Sequence, residues 1–140
     1  MLRKITLAVI FSVILPVAAS AASLVAKVDV SQQTMTVIQN GTVIANWRVS
    51  TARKGKHTPR GSYSPKSLSK YHKSSLYNNA PMPYSIFFKG NYAVHGTNQV
   101  SKLGRPASAG CVRLHTDHAA RLFALVKKHG FRNTRIVVQN

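Results

Sequence analysis

The dipeptide Asn40-Gly41 does more than any other feature to restrict what this chain can become. Both central residues of a tight two-residue hairpin need positive φ, and Asn followed by Gly meets that need with the least strain. The flanking segments, Thr34–Gln39 and Thr42–Ser50, suit its two arms. In the second arm Val43, Ala45, Trp47 and Val49 alternate with Ile44, Asn46 and Arg48. That period of two puts the first set on one apolar face, so all four are expected in the core. Further short strands are expected at Ala26–Val30, at Tyr84–Phe88 and Tyr92–His95 around Lys89-Gly90-Asn91, at Val112–Leu114 and at Thr134–Val138. One helix is expected, capped by Thr116 or Asp117 and running to about His129. Ala119, Leu122, Phe123 and Val126 share a face, Lys127 and Lys128 sit near its end, and Gly130 stops it. The polar stretch from Ser64 to Asn79 lacks strong periodicity and reads either as a flap over a groove or as a solvated loop. The fold class is therefore mainly β: a compact β-sandwich or barrel with one packed C-terminal helix.

The length of 140 residues suits one domain behind a leader. Residues 1–22 read as a secretory signal: Arg3 and Lys4, an apolar run from Ile5 to Leu15, Pro16, then small residues Ala18 to Ala22 that suit cleavage after Ala21 or Ala22. An uncleaved anchor is the alternative. The apolar run is short for a span and Pro16 interrupts it, so no transmembrane segment is expected after cleavage. Residues 23–140 can bury a core without disulfide staples, and the leader implies export to the periplasm or cell wall.

Twenty Lys and Arg face two acids, Asp29 and Asp117, for a formal charge of +18, or +16 once Arg3 and Lys4 leave with the signal. Such a balance invites nucleic acid. The basic residues are scattered, however, and no recognition helix or RNA-binding signature is present. The expectation is no nucleic acid, and attraction instead to anionic polymers of the cell envelope. The acid shortage decides more. A triad with a carboxylate behind its imidazole has only Asp29 or Asp117 to use, and neither lies in a site-like stretch. Paired-carboxylate glycosidase chemistry is disfavoured for the same reason. His115-x-x-His118 has a metal-like spacing but reads as two solvent-facing side chains. No metal and no cofactor are expected.

Cys111 is the only cysteine. Free cysteines are commonly inert core fillers, but in an exported chain an unpaired one is either buried, bonded to another molecule or reactive. Its surroundings favour reactivity. Ser108-Ala109-Gly110-Cys111 is a turn-like sequence in which Gly110 allows close backbone approach, and successive N–H groups there suit an oxyanion. His95 ends a short apolar run and supplies a base, provided the fold brings imidazole and sulfur together.

These residues carry a resemblance. His95-Gly96-Thr97, the sixteen-position step to Cys111, and Ser108-x-Gly110-Cys111-Val112-Arg113-Leu114 resemble the catalytic signature of L,D-transpeptidases, the YkuD-like domain. Thr58-Pro59-Arg60-Gly61-Ser62-Tyr63 matches that family's Thr-Pro-x-Gly-x-aromatic turn, and Met82-Pro83-Tyr84 resembles a segment lining its groove. The likeness covers nearly all of residues 23–140. One departure is Ala109, where the family often has His, which leaves His95 as the only base in the motif. The resemblance implies Cys111 as nucleophile, His95 as base oriented by the Gly96 carbonyl, and a donor peptidoglycan tetrapeptide stem cut before its terminal D-Ala. It also implies a thioester acyl-enzyme resolved by an amine. Ser108, Ala109 and Gly110 would shape the oxyanion turn. Arg113 would bind a stem carboxylate or brace the site, and Tyr84 and Met82 would line the groove, with an ordinary core aromatic the equal alternative for Tyr84. Two alternatives stay open: an L,D-carboxypeptidase or endopeptidase in which water resolves the same thioester, and a non-catalytic cationic wall-binding module.

Overall fold

The structure, a computed structural model, describes residues 8–16 and 21–140. Of the expected leader, Arg3, Lys4 and the small residues Ala18, Ala19 and Ser20 lie outside the described residues. Residues 8–16 carry no helix or strand, and Ile10 and Ile14 there are 90% and 89% exposed. Among the described residues no helix is long and apolar enough to cross a membrane.

In chain order the elements are β1 (Leu24–Asp29), β2 (Thr34–Gln39), β3 (Thr42–Arg48), β4 (Gly61–Tyr63), β5 (Ser67–Lys73), β6 (Pro81–Lys89), β7 (Tyr92–Thr97), β8 (Val112–His115), α1 (Thr116–His129) and β9 (Thr134–Gln139). They form a five-stranded sheet, β3-β2-β1-β9-β4, and a four-stranded sheet, β5-β6-β7-β8. Leu24, Ala26 and Val28 of β1, Met35 and Val37 of β2, and Ile136 of β9 are all buried. They meet Ile86, Phe88, Val94, Val112 and Leu114 of the second sheet in one core, to which α1 adds Ala119, Leu122 and Val126. This is the expected mainly β architecture with one packed helix.

The hairpin turns where expected, with φ of 48° at Asn40 and 79° at Gly41, both in the left-handed region that the turn demands. Its second arm departs from simple alternation. Val37 pairs with Ala45 but Ile38 pairs with Val43, so Ile44 is an extra residue in the ladder. Such a bulge reverses the facing of everything beyond it. Trp47 and Val49 therefore reach the core as expected, whereas Val43 is 60% exposed. The first strand begins at Leu24 and ends at Asp29, whose side chain accepts hydrogen bonds from Ser31 Oγ (2.6 Å) and the Gln32 amide (3.0 Å) as the chain turns.

Two strands were not legible in advance. β4 pairs antiparallel with β9, and β5 takes up half of the stretch expected to be flap or loop. β5 has no buried face of its own; its pairing with β6, Leu68 opposite Ile86 and His72 opposite Met82, makes it a strand. Residues 64–66 and Ser74–Ala80 stay outside the strands, the latter closed by the Ser74 N–H on the Ala80 carbonyl at 2.9 Å. The helix cap also differs: His115 caps α1, its Nδ1 accepting from the Asp117 amide at 3.1 Å, while Thr116 and Asp117 are already helical. A ring nitrogen here does the work usually given to a short side-chain oxygen.

Core and bulge make opposite demands on two apolar residues. Leu122→Ala should cost about 2–5 kcal/mol of stability, and Val43→Ala less than about 0.5 kcal/mol, both read from urea unfolding midpoints.

Candidate active site

Parallel strands cannot be joined by a tight turn, so a crossover must link them. β7 and β8 are parallel neighbours, with Val94 opposite Val112 and His95 opposite Arg113. The residues between them return to the same edge of the sheet and end on Cys111, one step before β8. The pairing sets Cys111 level with Ala93, whose amide donates to Sγ at 3.4 Å, while the thiol reaches the Asn91 carbonyl at 3.7 Å.

The returning loop is clamped from one side by residues 49–53. Arg113 exchanges two backbone hydrogen bonds with Ser50 (2.9 and 3.0 Å), and the amides of Ala107 and Ser108 donate to the Thr51 carbonyl at 3.0 and 2.9 Å. The Arg53 amide donates to the Ser108 carbonyl at 2.8 Å. Thr51 is itself fixed by buried Gln33, whose Oε1 accepts from its amide at 2.9 Å. Within the turn, fully buried Ser108 donates through Oγ to the Cys111 carbonyl at 2.6 Å and accepts from the Gly110 amide at 3.0 Å. Thr58, from the Thr-Pro-x-Gly stretch, donates through Oγ1 to the Gly110 carbonyl at 2.8 Å and accepts from the Ala52 amide at 3.0 Å. Gly110 has a φ of 143°, and a Cβ there would lie 2.5 Å from Tyr92 Cε1 and 2.9 Å from the His57 carbonyl oxygen. Only glycine fits that turn.

His95 is 6% exposed. Its Nδ1 lies 2.7 Å from the Gly96 carbonyl oxygen, and because a carbonyl can only accept, Nδ1 must carry the proton. Nε2 is then left with its lone pair. Gly96 allows this close packing: a Cβ would lie 2.9 Å from Thr116 Cα and 3.2 Å from Pro83 Cγ. Burial pushes the His95 pKa down to about 4, against the opposing pull of the Gly96 carbonyl, and the nearby Arg113 and His72 charges lower it further. Burial also pushes the Cys111 thiol up, with the Ala93 amide and the Arg113 charge opposing. At neutral pH the pair is a thiol and a neutral imidazole.

Both groups line a cavity of about 500 Å³. Ser108, Ala109, Gly110, Arg113 and Met82 line it too, and the loop residues Ser74, Leu76 and Tyr77 form part of its wall. Gly96 stands behind, touching it only through His95. Tyr84 is elsewhere. Its backbone takes a φ of 53°, and its ring packs edge-on against Phe123 of α1 at 5.6 Å, under Lys70. That left-handed residue interrupts the strand's alternation and turns the ring away from the groove. The cavity also contains residues that the sequence reading missed, Arg53 and His72. His72 sits on β5, edge-on to Phe87 at 4.9 Å, so the wall holds a second histidine although position 109 is Ala. Neither acid is present: Asp29 caps its turn, and Asp117 is 89% exposed near His115. His118 stacks on Trp47 at 4.7 Å, away from this cavity.

Residues 23–138 match the YkuD family, the L,D-transpeptidase catalytic domain. The chain belongs to that family. Among its relatives, YkuD of Bacillus subtilis (strain 168) is 23% identical over 103 residues, which are 71% of this chain and 58% of that protein. An L,D-transpeptidase of Mycobacterium tuberculosis H37Rv superposes with a TM-score of 0.75 at 21% identity, over 84% of this chain and 58% of that one. L,D-transpeptidase 3 of Mycobacterium tuberculosis, solved in complex with a faropenem-derived adduct, superposes with a TM-score of 0.72 at 20% identity, over 84% of this chain and 60% of that one. The chain thus spans between 58% and 60% of the length of these relatives.

Two measurements probe the turn and the buried ring. Gly110→Ala should destabilise by about 1–3 kcal/mol, since a non-glycine residue must be forced into that backbone conformation. For His95, the unfolded chain takes up a proton near pH 6.5 and the folded chain only near 4. Between those values the unfolded state binds more protons, so stability falls as pH drops through the window, by about 3 kcal/mol in all. Urea unfolding at pH 7 and pH 4 should show this loss in the wild type, with His95→Gln losing correspondingly less.

Proposed function

We propose that this chain is a cysteine-dependent L,D-transpeptidase that works on peptidoglycan stem peptides through a thioester on Cys111. The observation that carries the reading is the pairing of β7 with β8. It sets Cys111 and His95 on one cavity, with the imidazole tautomer fixed so that Nε2 is the free base. As Sγ attacks the scissile amide carbonyl, Nε2 takes the thiol proton. The Gly110 amide is held by Ser108 Oγ, so the Cys111 amide is the donor aimed at the developing oxyanion. The tetrahedral intermediate collapses, the C–N bond breaks, and the leaving amine takes the proton from Nε2. An amine of a second peptide then attacks the thioester and gives its proton to Nε2; the C–S bond breaks and Nε2 passes that proton to the departing sulfur, which restores the thiol and the neutral ring. No carboxylate is needed behind the imidazole, because the Gly96 carbonyl already fixes it.

Starting both partners neutral suits a buried site, since a preformed thiolate–imidazolium pair would have to be stabilised against desolvation. The proposed setting is the cell envelope, reached through the leader at residues 1–22, where the basic surface would hold the domain near anionic polymers.

Incubation with tetrapeptide-bearing muropeptides, followed by mass analysis, tests the reaction. Cross-linked dimers are expected. Shortened monomers alone would mean that water resolves the thioester, and unchanged substrate would leave only a binding module. Cys111→Ala should lose turnover entirely while keeping the wild-type unfolding midpoint. Faropenem should add covalently to the wild type, with the adduct mapping to Cys111 and absent from the variant; an unmodified wild type would count against the assigned nucleophile.

A further inference from the structure

The second half of the proposed reaction needs two proton acceptors, and the pair at Cys111 supplies one. An amine of the lysine type holds its proton up to about pH 10.4, so at pH 7 only roughly one in a few thousand is neutral. One proton must leave before the nitrogen has a lone pair, and a second leaves as the new C–N bond forms. His95 Nε2 serves the second. It serves the first poorly, because burial pushes its pKa down to about 4. The cavity also opposes carrying an ammonium inward: Arg53 and Arg113 line it and no acid does. A second imidazole, that of His72, stands nearer to solvent.

His72 lies on β5, the outer strand of the sheet that carries the site. Two strand spacings, about 10 Å, separate its backbone from that of His95, which leaves room for a reacting group between the rings. Its own ring reaches the cavity wall beside Met82, edge-on to Phe87 at 4.9 Å, and its charge is felt at His95. Neither ring nitrogen has a hydrogen-bond partner among the described residues. Neither is sealed in, for the one buried and unpartnered side-chain nitrogen or oxygen found there is His129 Nε2. Whichever nitrogen carries the hydrogen, the other keeps an open lone pair, and imidazole ordinarily exchanges protons near neutral pH. Around it, Lys70 and Lys73 are exposed on β5, Lys70 lying over the rings of Tyr71 and Tyr84. The single charge of β6, Lys89, is at the far end of that strand. Tyr77, Tyr92, His95, Cys111, Arg53 and Arg113 share the cavity. None of these is a carboxylate.

We propose that His72 is a second base of the transfer reaction, which takes the proton of an incoming ammonium so that the acceptor enters neutral and attacks the Cys111 thioester. The proposal rests on the reading of Cys111 as the nucleophile. The ammonium gives one proton to the neutral His72 ring, which later returns it to water. The freed nitrogen attacks the carbonyl, its second proton passes to His95 Nε2, and from there to the departing sulfur. Water has no proton to lose before it attacks and needs His95 alone, so His72 favours transfer over hydrolysis.

The readout is the ratio of cross-linked to hydrolysed product from tetrapeptide-bearing muropeptides, measured by mass for the wild type and His72→Gln. That ratio compares two fates of one acyl-enzyme, so a general loss of Cys111 reactivity does not move it. At pH 7 the ratio should be lower in the variant by about tenfold or more, the loss of a general base. Near pH 10 much of the amine is already neutral, and the gap should close to within about threefold. Added imidazole should raise the ratio of the variant at pH 7 and leave that of the wild type alone. Equal ratios in the two proteins at pH 7, a deficit of the same size at both pH values, or a wild type that only hydrolyses would each overturn the second base. Should His72→Gln fail to form the faropenem adduct, His72→Asn replaces it; failure of both would mark His72 as structural and overturn the proposal too. A wild type that neither takes up faropenem nor turns over donor would instead overturn the reading of Cys111.

Discussion

Parallel pairing between β7 and β8 is the constraint on which the site depends. Two parallel neighbours need a long connection, and here that connection ends in the tight turn that carries Cys111. Such a loop would ordinarily be among the looser parts of a fold. Residues 49–53 prevent this by running alongside it as a third, irregular strand, bonded through Ser50, Thr51 and Arg53 to Arg113, Ala107 and Ser108. The turn thereby inherits the rigidity of both sheets. Ser108 and Thr58 then tie down the carbonyls of Cys111 and Gly110, so few degrees of freedom remain around the sulfur. Fixing a reacting group in advance is a large part of what any active site must accomplish.

Electrostatics follow from the same packing. In a chain with only two acids, one held in the turn after β1 and the other exposed at the start of α1, His95 has no carboxylate to steady it. The Gly96 carbonyl takes that role at 2.7 Å, and glycine is what lets that strand lie so close to the start of α1. A carbonyl orients the ring without offering it a full negative charge. Burial therefore dominates and keeps the ring neutral, and the same burial keeps the thiol protonated. In the proposed reaction, proton transfer is therefore tied to the arrival of a substrate carbonyl and does not precede it.

Much of this was legible in the sequence, and the reasons differ by scale. Asn40-Gly41, the face made by Ala119, Leu122 and Val126, and the Ser108 to Cys111 turn are local patterns, and local patterns survive folding when nothing contradicts them. Val43 was misplaced because one extra residue in the ladder, Ile44, reverses a period-two pattern without altering the sequence signal. Between groove and core, Tyr84 goes to the core side because a left-handed residue inside β6 breaks the same period. β5, and with it His72, was hidden because its partner defines it; Ser67–Lys73 has no apolar alternation to announce a strand. Arg53 sits in an unremarkable polar run, and the hydrogen bond from its amide to the Ser108 carbonyl, next to the Ala52–Ser108 bridge, brings it to the cavity. The Cys111 and His95 pair was visible as residue types at a suggestive spacing, and the shortage of acids was visible in the composition, while the contact that fixes the tautomer and the desolvation of both groups needed coordinates.

The most direct test of the neutral resting pair is the pH dependence of Cys111 alkylation by iodoacetamide in the substrate-free protein. With thiol and imidazole both uncharged, the rate should rise with a single midpoint above the usual cysteine range, as burial of the sulfur requires. A plateau already reached below pH 7 would mean a preformed thiolate–imidazolium pair, and would contradict the account of how this buried site holds its proton.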